Sequence, residues 1–74
     1  MNDKLYKVMI LRYQAQINDA KYKIKCYSEH ELVIPEHPDI TGEIDKLLEV
    51  IASGEDKLAA LRLHFGKKEA RTVL

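Results

Sequence analysis

A single cysteine, Cys26, in a chain of 74 residues removes two of the usual supports of a small protein. It can close no intramolecular disulfide, and it cannot furnish a cysteine-rich zinc site. No apolar run approaches the roughly 20 residues needed to span a bilayer. Nor does a basic segment leading into an apolar one open the chain in the manner of a secretory signal. These absences lead to the expectation of a protein of a reducing cytoplasm, with no membrane involvement. Net charge is also missing, because 12 Lys and Arg balance 12 Asp and Glu, which argues against general binding to DNA. A domain of this size buries only roughly 60% of the surface its unfolded chain exposes. With disulfides and zinc set aside, oligomerisation is the remaining way to enlarge the core.

What is present is a pair of apolar stripes on either side of a proline-containing break. The first runs through Tyr6, Ile10, Tyr13, Ile17, Ala20, Ile24 and Tyr27, the second through Ile40, Ile44, Leu47, Ile51, Gly54, Leu58, Leu61 and Phe65. Both keep an unbroken four-three spacing, the seam of an antiparallel helical hairpin. Folding about residues 33 and 34 pairs Tyr27 with Ile40, Ile24 with Ile44, Ala20 with Leu47 and Ile17 with Ile51. Continuing, it sets Tyr13 opposite Gly54, Ile10 opposite Leu58 and Tyr6 opposite Leu61. In that register the bulk of Tyr13 fills the space left by Gly54. The expected fold is all-α: a coiled-coil-like two-helix hairpin over residues 1–66 that completes a four-helix bundle by self-association. It comprises a helix over 2–28, a connector over 29–38, a helix over 39–65 and a basic tail over 67–74.

Local signals support these boundaries. Asn2 or Asp3 can cap the first helix, which contains neither glycine nor proline. The connector must end it, since a residue before proline avoids the helical region and Pro35 and Pro38 stand three apart. Leu32, Val33 and Ile34 are expected to plug the closed end. Asp39 or Thr41 can cap the second helix after Pro38, with Glu43 and Asp45 suited to its positive end and His64, Lys67 and Lys68 to its negative end. Gly66 is a natural stop. Two rivals compete with this account. Lys21 to Tyr27 alternates like a strand and can pair across Ser28, Glu29 and His30 with Glu31 to Ile34. Ser53-Gly54-Glu55-Asp56 has a capping-box pattern that can start a new helix. The helical alternatives are preferred, because residues 20, 24 and 27, and likewise 51, 54 and 58, continue the seam in phase.

The first helix also carries a second apolar line at Val8, Leu11, Ala15 and Tyr22, on the face away from the seam, and the second adds Leu48, Val50 and Leu63. A stripe on both faces is expected of a helix inside a bundle of more than two. Four consecutive apolar residues, Val8-Met9-Ile10-Leu11, cannot share one narrow stripe. Single exposed apolar residues are ordinary, but this run points to a homo-oligomer, with a dimer favoured and Val8, Leu11, Ala15 and Tyr22 as the interface with a second copy or a partner.

Charge is distributed unevenly along the chain. Residues 1–27 and 57–74 are basic, while residues 28–56 hold nine acids against Lys46 alone. The hairpin gathers Lys4, Lys7, Arg12, Arg62, Lys67, Lys68 and Arg71 into a basic pole and sets Glu29, Glu31, Glu36, Asp39, Glu43 and Asp45 at an acidic one. Copies of Lys4, Lys7, Arg12, Lys67, Lys68 and Arg71 can converge on assembly to bind a phosphate-bearing ligand, and lysines interleaved with tyrosines in Lys21 to Tyr27 suit nucleic acid. The plainer reading is that Lys21, Lys23 and Lys25 pair with acids of the second helix. Glu29, His30, Glu31, Glu36, His37 and Asp39 offer imidazole and carboxylate groups, but their spacing matches no strict metal site. Cys26, Ser28 and His30 are neighbours in sequence without the concave pocket that nucleophilic catalysis requires, and Cys26 reads as a small half-buried side chain. No catalytic residue, cofactor or metal is expected.

Glu36-His37-Pro38-Asp39-Ile40, then Glu43-Ile44-Asp45-Lys46-Leu47-Leu48 and Glu55-Asp56-Lys57-Leu58-Ala59-Ala60-Leu61, resemble the second half of small helical-hairpin proteins encoded by tailed phages. The likeness covers residues 36–65 and implies an accessory or host-interacting protein without enzyme activity, working in the host cytoplasm. The combined expectation is a non-enzymatic helical protein that self-associates and binds a protein partner, as adaptor, inhibitor or assembly element. The alternative is an oligomeric binder of a phosphorylated small ligand or nucleic acid.

Overall fold

Two capping residues decide where the helices of the computed structural model begin. Asn2 accepts the Leu5 N–H on its side-chain Oδ1 at 2.8 Å and the Tyr6 N–H on its carbonyl oxygen at 3.0 Å, which starts α1, Asp3–His30. Asp39 does the same for α2, Ile40–Phe65: its Oδ1 accepts the Gly42 N–H at 3.0 Å and the Thr41 hydroxyl at 3.3 Å, and its carbonyl accepts the Glu43 N–H at 3.1 Å. Each cap satisfies amides that the first turn leaves without intrahelical partners. A Cβ on Gly42 would run into the Asp39 carboxylate, so glycine leaves the cap its room.

The structure describes residues 1–30 and 39–66. The expected connector plug of Leu32, Val33 and Ile34, the residues Glu31, Glu36 and His37, and the tail with Lys67, Lys68 and Arg71 lie outside the described residues. Lys21 to Tyr27 belongs to α1, and α2 runs through Ser53-Gly54 without a break. Gly66 follows α2 in extended rather than left-handed backbone, at φ −69° and ψ 169°, with its N–H donating to the Arg62 carbonyl at 3.0 Å.

The helices pack antiparallel along one line. Ile17, Ala20, Gly54, Leu58 and Leu61 are buried, Ala20 most completely at 1% exposure. Tyr6, Ile10, Tyr13, Ile24 and Tyr27 of α1, and Ile40, Ile44, Leu47 and Ile51 of α2, are half-buried around them. No polar side chain is buried among the described residues. Two elements of the expected register are corrected. The atom nearest to a Cβ built on Gly54 is Ile17 Cγ1, at 2.7 Å, followed by Ile17 Cδ1 at 3.1 Å; Tyr13 contributes only its carbonyl oxygen, at 3.8 Å. Helical side chains lean about one position toward the N-terminus of their own helix, so in an antiparallel pair Ile17 and the Cβ direction of residue 54 lean toward each other. The Tyr13 ring instead lies beneath Lys57 Nζ, 5.4 Å from its centroid. Phe65, placed in the seam by its spacing, is 52% exposed. Its partner in that register would be residue 2 or 3, where α1 is only beginning, and its ring meets His64 edge-on at 6.4 Å.

Candidate interaction surface

A hairpin has one seam, so any apolar residue off that seam meets solvent. Among the described residues only four hydrophobic ones, Ile17, Ala20, Leu58 and Leu61, are buried, whereas nine large ones are exposed, so the described seam is a thin core. Those exposed in the body of α1 gather on one side. On α1, Val8 at 52%, Leu11 at 64% and Tyr22 at 66% stand with the exposed Ala15 on the side away from the seam. At about 100° per residue these four fall within one narrow arc opposite Ile10, Ile17 and Ile24. Leu5, 47% exposed, lies at the margin of this arc, and the exposed Asn18 interrupts the line between Ala15 and Tyr22.

On α2, Leu48 and Leu63 are exposed on the side that also presents Ala52 and Ala59, while Val50 is turned to the other side of the hairpin. There Val50 joins Gln16, Lys46, Glu49, Ser53 and Lys57 around an open groove of about 330 Å³. The groove is lined by side chains that α1 and α2 hold in solvent.

Ion pairs among the described residues are confined to neighbouring turns, Lys23 to Asp19 at 3.0 Å and Lys46 to Glu43 at 3.8 Å, and all four side chains are solvated. Lys21 and Lys25, expected to pair with acids of α2, form no such bridge with a described residue. Lys4, Lys7 and Arg12 are exposed, and no described carboxylate is within ion-pairing distance of them. These three bases border the Val8, Leu11 and Ala15 face at the open end of the hairpin. Glu29 and Asp39 are at the opposite end with the start of α2, and among the described residues no group of three or more His, Cys, Asp or Glu side chains is placed to hold a metal ion.

Tyr22 has a neighbour one turn on in Cys26, which is half-buried. A hydrogen bond with Cys26 first, then the charge of its thiolate, then slight desolvation hold the Tyr22 phenol above its ordinary range. No described helix is long and apolar enough to cross a membrane. No family model, curated protein or solved structure matches the chain.

Sequence reasoning passed over Leu5, the Ala52 and Ala59 line and the Lys57 contact with Tyr13. The first two carried a signal in spacing: Leu5 stands three residues before Val8, and Ala52 and Ala59 recur with Leu48 and Leu63 at helical intervals. Alanine is easily overlooked because its small apolar area adds little to a stripe. The Lys57 contact had no sequence signal, since it depends on how far the helices interleave.

Proposed function

We propose that the hairpin is a non-enzymatic interaction protein that self-associates through the outer face of α1 and engages a protein partner, as an adaptor, inhibitor or assembly element. The observation that carries this reading is the exposed line of Val8, Leu11 and Tyr22 on a hairpin whose seam, among the described residues, buries only four hydrophobic ones. An apolar line of that kind suits a surface that another helix covers. The open groove beside Val50, with its exposed lining, suits contact better than a reaction needing a dry cavity. An accessory role of the kind implied by the resemblance to tailed-phage hairpins fits this reading.

Leu11→Glu tests it. Leu11 is 64% exposed, so the substitution leaves the seam intact, and it places a carboxylate in the middle of the line. The expected result is a lower mass by light scattering at unchanged helical circular dichroism. A variant that elutes, scatters and melts like the parent would place the interface elsewhere.

A phosphate-bearing ligand is the second reading, favoured by one observation: Lys4, Lys7 and Arg12 have no acidic partner among the described residues. Reversing Lys4 and Lys7 to glutamate abolishes retention on an immobilised phosphate matrix if this reading holds, and leaves retention unchanged if it does not.

A further inference from the structure

An outer face that is apolar and basic calls for a counterpart that is apolar and acidic. Two α1 faces brought together in parallel would set the exposed Lys4, Lys7 and Arg12 of one copy against the same residues of the other, a like-charge arrangement that opposes association. The hairpin carries the complementary surface on its second helix. Leu48, Ala52, Ala59 and Leu63 are all exposed and follow one another at helical intervals. At about 100° per residue their line stands roughly 90° round α2 from Ile44, Ile51 and Leu58, so it stays open while α1 occupies the seam. Asp45, Glu49, Glu55 and Asp56 border it, all exposed and all outside the ion pairs of the described residues.

We propose that the outer face of α1 docks antiparallel on this outer line of α2 in a second copy of the chain. The proposal rests on the self-association advanced above and names the surface that receives it. One register satisfies both size and charge. With Ala15 against Leu48 and Leu11 against Ala52, a large side chain faces a small one in both pairs, as interdigitating helices require. The same register sets Lys7 level with Asp56 and Arg12 within a turn of Glu49.

The geometry also decides the kind of assembly. Two copies can close both contacts about a single axis only if each outer face stands near a right angle to its own seam. That of α1 stands roughly 180° away from its seam at 3.6 residues per turn. The contact is therefore head-to-tail, with one donor face and one acceptor face on every copy, and it extends into a ring or a chain rather than a two-fold pair.

Two single variants decide it. Leu11→Lys blocks the donor face and Ala52→Lys the acceptor face; both positions are exposed, and circular dichroism verifies that each variant keeps the parent's helicity. The proposal expects an assembled parent, the loss of assembly in each variant alone, and recovery of a 1:1 complex, twice the 8.6 kDa chain mass, when the variants are mixed. The mixture succeeds because the first variant keeps its α2 line and the second its α1 face. An Ala52→Lys variant that assembles like the parent, or a mixture that stays monomeric when both variants are, overturns the α1-to-α2 contact and leaves self-association standing. A parent that is monomeric at every concentration overturns self-association and this contact together.

Discussion

Gly54→Ala sets two effects of known size against each other. In a solvated helix the exchange would stabilise, by about 1 kcal/mol, because alanine restricts the unfolded backbone and glycine does not. At position 54 the new methyl meets Ile17 Cγ1 at 2.7 Å and Cδ1 at 3.1 Å. Cγ1 is attached directly to the branched Cβ of Ile17, whose χ1 has one strongly preferred rotamer in a helix, so the side chain cannot swing clear. Overpacking of this kind typically costs about 1–3 kcal/mol. The net expectation is a loss on the order of 0–2 kcal/mol. The decisive quantity is the coupling to Ile17. Ile17→Ala alone empties part of a thin core and costs about 2 kcal/mol or more. In the double variant the alanine at 54 has space, so the pair is more stable than the sum of the singles by about 1–3 kcal/mol. Urea unfolding of the four proteins at one fixed concentration, followed by far-ultraviolet circular dichroism, measures the cycle. A Gly54→Ala protein stabilised by the full helix-propensity gain, with no coupling to Ile17, would refute the close approach of the helices.

Asp39→Ala removes the acceptor for the Gly42 N–H and the Thr41 hydroxyl. It is expected to destabilise by about 0.5–2 kcal/mol with an unchanged denaturant slope, and Asp39→Asn, which keeps an acceptor oxygen, by less. Tyr22 is expected to titrate above an ordinary phenol, and Cys26→Ala to return it to the ordinary range, followed by the ring resonances in a pH series. Because the folded value is the raised one, any stabilisation from this contact is complete below the ordinary phenol pKa and is lost as pH rises through the raised value. A Tyr22 titration unmoved by Cys26→Ala would show that the thiol is not the cause.

The antiparallel hairpin is legible in the sequence because a four-three apolar spacing on both sides of a proline-containing break leaves helices few other ways to hide their stripes. Sub-turn detail is less legible. Spacing sets Tyr13 opposite Gly54, but the lean of helical side chains brings Ile17 there instead, and periodicity carries no record of that lean. Phe65 shows a second limit: a stripe can continue in phase past the point where the opposing helix ends, and its last member is then left in water. The outer face of α1 was legible for the same reason as the seam, since Val8 to Leu11 cannot all turn one way. The acceptor line on α2 was not, because two of its four residues are alanines and its acids, read along the chain, looked like an ordinary solvated surface. Only placing residues around the helices brought them together.

The antiparallel register has a consequence for synthesis. Ile17 leaves the ribosome well ahead of the glycine that it packs against, residue 54. At roughly 5–20 residues per second the first helix is exposed for several seconds before its counterpart exists. Isolated helices form and melt within about a microsecond, so α1 samples its folded form many times with both apolar faces bare. During that interval its inner and outer lines compete for any helix in reach, and the arrival of Gly54, Leu58 and Leu61 commits the inner line to its own chain.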